Sequence, residues 1–482
     1  MPIHHAYPGE AVRGPFLPGT MYSLDAVFGV GASMIEQLET DYLIIGAGAC
    51  AMAFVDEIVS QSETLRIIMV DRRATPGGHW NNAYSFVTLH QPASYYGVNS
   101  EKLEKGPYDL ASGEEIAAYY ARVLDKLCAT GRVQFFGECE YMGEGRFKSV
   151  DVGGQEYHVK PRLRTVDATY SRVKIPSTRP PQYGVADGIH VVPINALSSL
   201  DRTWSRYVVI GAGKTGIDAI LYLLETGTEP DQITWVVSRD GWLINREMMS
   251  PDVLATTFIR QLRQICLAAD VDDYFRRFEE AGWFMRVDTS VPASRFHCTT
   301  VNPAELDALQ QIQDVVRLGR VRHIDATEIV LERGTTATGA DVLHVDCTAD
   351  GLTRRPARPI FNGDQITLQP VTFCQPTMSA AMIANIEMLS VDDGRKNKMT
   401  QPTPYPDVPY DYFVTILVMS ENMRAWSTTQ LPWLLRSRLS MFCHLSLWGK
   451  IWMGLGMVRW WHGSTRAVRG FLRDYEETGR RY

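Results

Sequence analysis

This sequence of 482 residues is 45% hydrophobic and 21% charged, and its formal net charge is −7. The composition is typical of a globular protein with two or three domains, and it excludes a mainly disordered, collagen-like or coiled-coil chain. The acidic balance argues against nucleic acid as a partner, because nucleic-acid-binding proteins need a basic surface. The eight cysteines form no C-x-x-C pair, which argues against zinc knuckles and favours a reducing, cytoplasmic location.

A β-turn-α-β pattern occurs twice. In the first copy, apolar runs at 41–45 and 65–70 predict buried parallel strands around a helix at 49–60. In the second copy, strands are predicted at 206–210 and 233–237, again with a helix between them. The sequence therefore predicts an α/β chain with two Rossmann-like dinucleotide-binding domains.

The first glycine turn reads G-x-G-x-x-A, at Gly46, Gly48 and Ala51. Gly46 permits the tight turn, Gly48 lets a pyrophosphate approach the backbone, and Ala51 keeps helix and strand close together. The free N–H groups at the start of the helix favour phosphate. Asp71 ends the next strand, where a carboxylate binds ribose hydroxyls. We predict that these four residues bind a dinucleotide.

The second glycine turn is a complete G-x-G-x-x-G, and its predicted cofactor-binding residues are Gly211, Gly213, Lys214, Thr215 and Gly216. Ser238 and Arg239 follow the next strand, where the first unit has its acid. A hydroxyl and a guanidinium bind a 2′-phosphate, so we predict an NADPH site. The alternative is that Arg239 is a solvated surface charge and the site prefers NAD. The second strand is followed by Asp71 in the first unit and by Ser238 and Arg239 in the second unit. This difference predicts two cofactors, FAD and NADPH, because hydride passes between such a pair.

A further segment, Gly77-Gly78-His79-Trp80-Asn81, follows Asp71. With the two glycine turns in this order, it resembles the G-G-x-W segment of the class B flavin-dependent monooxygenases, which include flavin-containing monooxygenases, Baeyer–Villiger monooxygenases and N-hydroxylases. The resemblance implies that Gly78 and Trp80 contact the cofactor, and it spans roughly residues 40–390.

Two later segments extend the resemblance. Residues 347–351 are a variant of the A-T-G strand end that returns the chain to the FAD domain, and residues 361–364 resemble the element by which Asp364 would hold the ribityl chain. The family fingerprint F-x-G-x-x-x-H-x-x-x-W is absent, its nearest counterpart being Tyr183-Gly184 with His190. The chain therefore resembles more closely the FAD/NAD(P)-binding oxidoreductases related to these monooxygenases.

The resemblance implies an NADPH-consuming, FAD-dependent monooxygenase that inserts one atom of O2 into a small organic substrate through a C4a-(hydro)peroxyflavin. The protein would position groups, donate hydrogen bonds at the flavin edge and exclude water. Five side chains are candidates either for that catalytic role or for fixing the loop: Asn81, Asn82, Tyr84, His90 and Gln91. We interpret His79 as structural rather than as a catalytic base. No metal site is predicted.

Three alternatives remain at this stage. The first is an NADPH:acceptor flavin oxidoreductase without oxygen insertion, and the second is a non-catalytic NADP(H)-binding sensor. The third, a disulfide reductase, needs a redox-active cysteine pair beside the flavin. No such pair is visible, and we interpret Cys50, in the first turn, as a small buried filler. The reductase is set aside unless cysteines distant in sequence converge.

The tail over 411–482 is rich in tryptophan. Residues 439–458 are largely apolar but are interrupted by His444 and Lys450. We favour a helical cap packed on the FAD domain or on a second subunit over an interfacial membrane helix.

The domain organisation follows from these patterns. A FAD domain is interrupted by an NADPH domain and followed by a helical tail. The predicted boundaries are 1–39 for a flexible extension, 40–165 and 336–400 for the FAD domain, 166–189 for a connector, 190–335 for the NADPH domain and 401–482 for the tail.

Overall fold

The computed structural model describes residues 35–106, 108–151, 153–171, 176–348 and 355–478. Most of the predicted N-terminal extension and the end of the predicted A-T-G variant, residues 349–351, lie outside these ranges.

The described residues form eleven α-helices and twenty-two strands. The helices are α1 (Ala49–Gln61), α2 (Gly113–Ala129), α3 (Lys214–Glu225), α4 (Leu254–Leu267), α5 (Val271–Glu280), α6 (Pro303–Leu309), α7 (Pro376–Glu387), α8 (Asp393–Met399), α9 (Pro409–Thr429), α10 (Leu431–Arg436) and α11 (Leu447–Thr478). The strands are β1 (Glu36–Leu38), β2 (Tyr42–Ile45), β3 (Ile67–Val70), β4 (Val133–Phe136), β5 (Cys139–Gly143), β6 (Arg146–Ser149), β7 (Glu156–Val159), β8 (Arg164–Asp167), β9 (Gly184–Val185), β10 (Val191–Pro193), β11 (Arg206–Ile210), β12 (Ile233–Val236), β13 (Gly241–Asn245), β14 (Phe284–Met285), β15 (Arg295–Val301), β16 (Asp314–Val316), β17 (Val321–Ile324), β18 (Glu328–Leu331), β19 (Gly334–Ala337), β20 (Val342–Asp346), β21 (Phe361–Asn362) and β22 (Gln365–Thr367).

The first large sheet contains the first predicted unit. Its strand order is β21-β22-β8-β2-β3-β4, and β22, β8, β2, β3 and β4 run parallel. Every residue of β2 and β3 is buried, as expected for strands covered on both faces. Helix α1 packs against α7, which returns from far along the chain. The predicted strand–turn–helix–strand unit is confirmed.

The second large sheet is wholly parallel, in the order β10-β20-β11-β12-β16. All its strands lie between β8 and β21 in sequence, so the second unit is inserted into the first, as predicted. The boundary at 336 is wrong, because β20 pairs with β10 and β11 rather than with the first sheet. A short buried run fits either sheet, and only strand pairing decides between them. The chain returns to the first sheet at β21.

Three small sheets complete the β structure of the described residues, in the orders β1-β7-β6-β5, β19-β18-β17-β9 and β14-β13-β15. The sheet containing β13 and β15 packs with α5 and α9 around a cluster of buried aromatic rings, which includes Tyr274, Phe275, Phe284 and Phe296. This cluster joins the second unit to the C-terminal helices.

The predicted helical tail is confirmed, and its first part is bound to the first unit through buried polar contacts. Trp433 donates its indole N–H to Glu57 Oε1 of α1 at 2.7 Å. Arg438, with its guanidinium buried, donates to the carbonyl oxygens of Tyr96 and Val98 and pairs with Glu104 at 2.6 Å. These contacts satisfy a buried charge and fix the segment that follows α10.

Helix α11 packs on α4 along a row of glycines seven residues apart, Gly449, Gly456 and Gly463. A Cβ atom at Gly456 would lie 2.4 Å from Ile259 Cγ1, and one at Gly463 would lie 3.0 Å from Cys266 Sγ. The two helices therefore approach closely, and the rotation of α11 about its axis is fixed. Among the described residues, none of the helices has the length and apolar content that crossing a bilayer requires.

Candidate dinucleotide-binding sites

A groove of about 910 Å³ opens beside the carboxyl ends of the first sheet. Its lining includes Gly46, Gly48 and Asp71 from the first unit, and Pro376 and Tyr405 from the later part of the chain. The carboxyl ends of parallel strands are where α/β folds bind ligands, and the volume lies within the usual range for such sites.

The first glycine turn is built for close approach by a ligand. Gly46 has φ +98°, which only glycine adopts readily. Gly48 precedes the first residue of α1 and has an ordinary φ of −76°. A Cβ atom there would meet only Gly78 Cα, at an unstrained 3.7 Å. The backbone conformation therefore requires glycine at position 46. At position 48 the protein would accept a side chain, and the space that glycine leaves there is available to a ligand.

The G-G-x-W segment packs directly on this turn. The Gly77 N–H donates to the Ala47 carbonyl oxygen at 2.9 Å. A Cβ atom at Gly78 would lie 3.0 Å from Gly48 Cα, so the backbones touch. Trp80 donates its indole N–H to the hydroxyl of Tyr96 at 2.8 Å, and Tyr96 lines the groove whereas Trp80 does not.

Asp71 is buried at the end of β3 and holds the turn in place. Its Oδ2 accepts from the Ala47 N–H at 2.7 Å, and its Oδ1 accepts from the Arg73 N–H at 2.8 Å. Each carboxylate oxygen keeps a second lone pair for a ribose hydroxyl. His79 also lines the groove, and burial lowers its pKa to about 4. Its imidazole is therefore neutral near pH 7, in keeping with a structural role.

The start of α7 supplies groove residues that the sequence did not reveal. Gln375 and Thr377 are buried on either side of Pro376, and neither Gln375 Nε2 nor Thr377 Oγ1 has a hydrogen-bond partner. Unpaired buried polar atoms are costly unless a ligand satisfies them. Pro376 and Ala380 of α7 line the groove itself, and no local motif marks them, because they reach it only through the packing of α7 on α1.

Cys50 lies in the same region, with its Sγ 3.8 Å from the Pro376 carbonyl oxygen. Burial raises the pKa of its thiol to about 12. The thiol therefore stays protonated near pH 7, as expected for an inert filler.

Asp364, predicted to hold the ribityl chain, lies at the edge of the first sheet, where its carbonyl oxygen accepts from the Thr165 N–H at 2.8 Å. It occupies the exposed turn between β21 and β22, after Gly363 with φ +61°, and it does not line the groove. The hydrophobic-Gly-Asp pattern here forms the hairpin turn between β21 and β22, and the next residue, Gln365, lines the groove. Asp167 and Gln369 line the groove instead.

The five candidates for the flavin edge also lie outside the groove lining. Asn81 Nδ2 donates to the carbonyl oxygens of Thr75 and Pro76, and Asn82 Oδ1 accepts from Arg73. Both amides thus fix the loop, which was the alternative interpretation.

Of the other three candidates, Tyr84 and His90 contact the second unit. The hydroxyl of Tyr84 bonds to Asp218 of α3, which also pairs with Lys214. Gln91 is buried, and His90 Nδ1 is buried without a partner. Burial and the nearby cations Lys214 and Arg246 lower the pKa of His90 to about 3. Residues 84–90 form a contact between the two units, which we call the interdomain seam.

The second glycine turn repeats the geometry of the first. Gly211 has φ +131°, and a Cβ atom there would lie 2.6 Å from the Cys347 carbonyl oxygen. A Cβ atom at Gly216 would lie 2.0 Å from the Gly211 carbonyl oxygen. At Gly213, immediately before α3, a Cβ atom would meet nothing within 4 Å. Again the middle glycine is the one that the protein does not need. Lys214 and Thr215 form the first turn of α3.

Arg239 follows β12 but is not a solvated surface charge. Its guanidinium donates two hydrogen bonds to the Asp407 carboxylate, at 3.0 and 2.9 Å. Asp407 Oδ1 also lies 2.7 Å from His297 Nε2. The partly buried Ser238 precedes Arg239. The sequence could not reveal Asp407, because it lies 168 residues from Arg239 and belongs to no motif.

Two cysteines distant in sequence do converge. Cys298 of β15 and Cys374, two residues before Pro376, form a disulfide across 76 positions. This corrects the expectation that the chain lacks a cysteine pair. Spacing rules detect only local pairs, whereas this one forms because β15 and the loop before α7 pack together. The other six cysteines are free.

The nested sheets and the two open glycine turns define a tandem Rossmann-fold protein. No protein-family model matches the chain. Uncharacterized proteins of Mycobacterium tuberculosis and Mycobacterium bovis are 44% identical to it over 431 residues, which cover 85% of this chain and 79% of theirs. The chain belongs to the same family as these mycobacterial proteins.

Solved structures with a similar chain path have low sequence identity. A flavin-containing monooxygenase from Stenotrophomonas maltophilia is 16% identical, with a TM-score of 0.42 over 72% of this chain and 97% of that chain. A closed cyclohexanone monooxygenase is 12% identical, with a TM-score of 0.47 over 89% and 98%. The bacillithiol disulfide reductase Bdr from Staphylococcus aureus is 12% identical, with a TM-score of 0.44 over 73% and 98%. At this level of similarity we draw nothing about activity from them.

Proposed function

We propose that this chain is an FAD-dependent, NADPH-consuming monooxygenase that transfers one oxygen atom of O2 to a small organic substrate. The observation that carries the nucleotide-binding part of the proposal is the pair Gly48 and Gly213. Each stands directly before a helix, at a position where the surrounding protein would accept a side chain. A glycine there serves a pyrophosphate that must touch the backbone. The oxygen-transfer part rests on the resemblance of the motifs.

The groove fits FAD in its residue chemistry. Gly46, Gly48 and the start of α1 would hold the pyrophosphate, and Asp71 the adenosine ribose. When bound, FAD supplies the two-electron chemistry and the reaction with O2.

The interdomain seam would keep water from the region between the two cofactors. Tyr84 and Lys214 share the Asp218 carboxylate, and Phe86 stacks on Tyr222 with ring centroids 3.9 Å apart. His90 is neutral near pH 7 because its pKa is about 3, so it offers a hydrogen bond without delivering a proton.

The proposal is tested by the spectrum of the purified protein and by the fate of oxygen. We expect bound FAD in the visible spectrum, bleaching by NADPH under anaerobic conditions, and label from isotopic O2 in the product of an accepted substrate. A colourless protein that takes up no added FAD would refute every flavoenzyme interpretation and leave the NADP(H) sensor. Stoichiometric H2O2 with every compound of a substrate panel would contradict oxygen transfer.

Removal of Arg239 should change the choice between the two nicotinamide cofactors. Charge-assisted hydrogen bonds contribute about 1.5–3 kcal/mol, so Arg239→Ala is expected to weaken NADPH binding about 10- to 100-fold. NADH lacks the 2′-phosphate, and its affinity should change by about twofold or less. Titration of both cofactors measures the difference. Arg322→Ala, at an exposed pair with Glu332, is the matched control. Equal losses for NADPH and NADH would contradict the assignment.

A second candidate is an NADPH-dependent flavin oxidoreductase that passes electrons to a disulfide. It is favoured by the pair Cys298–Cys374, because Cys374 lies two residues before Pro376 of the groove lining. Two electrons and two protons would convert this disulfide into two thiols, which could then reduce an external acceptor.

Counting thiols distinguishes the two candidates. The denatured protein should show six free thiols before reduction. Anaerobic treatment with NADPH, followed by alkylation and denaturation, should leave the count unchanged in a monooxygenase with a structural disulfide. A rise to eight, the full number of cysteines, would favour the second candidate. Cys298→Ser/Cys374→Ser, which should show six thiols in both states, is the control.

A further inference from the structure

Helix α11 exposes one face along its whole length, opposite the glycines that pack on α4. The helix has 32 residues, about 48 Å. Over its first half this face is apolar, and Trp448 is 74% exposed, Trp452 65% and Val458 83%. The complete set of exposed apolar side chains there is Leu447, Trp448, Ile451, Trp452, Leu455 and Val458. Contiguous apolar side chains at this exposure mark an interaction surface.

Over positions 459–473 the same face becomes cationic, and the helix then ends in the exposed acids Asp474, Glu476 and Glu477. The helical spacing of three and four residues continues from Val458 through positions 462, 466, 469 and 473. A surface cavity of about 650 Å³ lies there, and its lining is His462, Thr465, Arg466, Arg469 and Arg473. Arg469 also pairs with Glu421 of α9 at 3.1 Å.

The charge of this part of the chain is opposite to that of the whole. Residues 422–473 contain no Asp or Glu, although the full chain has a net charge of −7. The basic residues of the segment are Arg424, Arg436, Arg438, Lys450, Arg459, Arg466, Arg469 and Arg473. Arg438 is buried with Glu104, and most of the others are at least partly exposed.

We propose that this face of α11 docks on the surface of an anionic phospholipid bilayer. Trp448 and Trp452 would enter the interfacial layer, as tryptophan does at membrane boundaries. Arg459 and Arg466 would meet the lipid phosphates, whose negative potential attracts basic residues. On one docked face, the apolar side chains would thus insert between the headgroups and the cationic ones would pair with the lipid phosphates.

A second copy of the chain fits this face less well. Full antiparallel overlap would place the cationic half of each helix on the apolar half of the other, and parallel overlap would place cation against cation. Overlap of the apolar halves alone involves about 18 Å of helix. A contact of that length is small compared with a stable protein–protein interface, which buries roughly 800 Å² on each partner. Charge complementarity therefore favours lipid.

Cosedimentation of the full chain with lipid vesicles tests the proposal. We expect binding to phosphatidylcholine vesicles that contain phosphatidylglycerol, at least about tenfold weaker binding to phosphatidylcholine alone, and a blue shift of tryptophan fluorescence on binding. Trp448→Ser/Trp452→Ser and Arg459→Glu/Arg466→Glu should each reduce binding at least about tenfold. Leu163→Ser, at an exposed apolar side chain of the first unit, should leave it unchanged.

Loss of vesicle binding can be distinguished from unfolding of the variants and from self-association of the protein. All three variants should keep the wild-type circular dichroism and melting temperature, because the changed side chains are exposed. Failure of the wild type to bind anionic vesicles would overturn the proposal. So would a dimer in sedimentation velocity that the tryptophan double variant converts to monomer, because the face would then be a protein interface. Neither result depends on the proposed oxygen chemistry.

Discussion

Gly213→Ala is expected to remove most NADPH binding while leaving the fold intact. A Cβ atom at this position would meet no protein atom within 4 Å, and φ is an ordinary −88°. The same methyl group would occupy the place where a pyrophosphate touches the start of α3. Loss of a hydrogen bond between the backbone and a charged phosphate oxygen costs about 1.5–3 kcal/mol, so a decrease in affinity on the order of 100-fold is expected. Titration of the variant with NADPH measures the loss, and the FAD content and melting temperature should not change.

Two other glycines provide the contrast. Gly216→Ala would place a methyl group 2.0 Å from the Gly211 carbonyl oxygen, so this variant should lose stability as well as binding. Gly106→Ala, at a surface position where a Cβ atom also meets nothing within 4 Å, should change neither. Normal NADPH affinity in the Gly213 variant would show that no nucleotide approaches this turn.

Glu387→Gln is expected to destabilise the first unit by about 3–5 kcal/mol. Glu387 is buried at the end of α7, where its Oε1 accepts from the Tyr42 hydroxyl at 3.0 Å and lies 3.1 Å from Arg164 Nε. Its Oε2 accepts from the buried Lys396 ammonium at 2.6 Å. The neutral amide leaves that ammonium without a counter-charge in a region closed to water. The midpoint of chemical unfolding, followed by tryptophan fluorescence, reports the change.

A matched carboxylate at the surface shows the effect of burial. Glu421 pairs with Arg469 at 3.1 Å, but both side chains are substantially exposed. Glu421→Gln should therefore change the free energy of unfolding by no more than about 1 kcal/mol. Similar small losses in the two variants would mean that the Lys396 ammonium does not depend on Glu387.

The elements that the sequence predicted well are those whose signal is local. The strands before Gly46 and Gly211 are short buried runs followed at once by a glycine turn and a helix. This order of elements allows few alternative local folds, because the turn requires glycine and a parallel strand must end there. The structure confirms both units and the insertion of the second into the first.

The predictions that failed concern contacts between distant segments. The strand at 342–346 was assigned to the wrong unit, and the cysteines were interpreted as unpaired. In each case the residue type suits more than one environment, and the choice depends on what packs against it. The pairing of β20 with β11 and the approach of Cys374 to Cys298 join segments far apart in sequence.

By itself, the sequence determined that this protein has two Rossmann-type glycine turns, since the glycines and the strands before them are adjacent in the chain. It also showed a tail rich in tryptophan and arginine. Only the tertiary structure decided which residues surround each turn. It placed Asn81 and Asn82 in loop contacts, Arg239 against Asp407, and Pro376 and Ala380 beside the groove. The reason is physical: a turn depends on neighbouring dihedral angles, whereas a groove is assembled by packing between elements hundreds of residues apart.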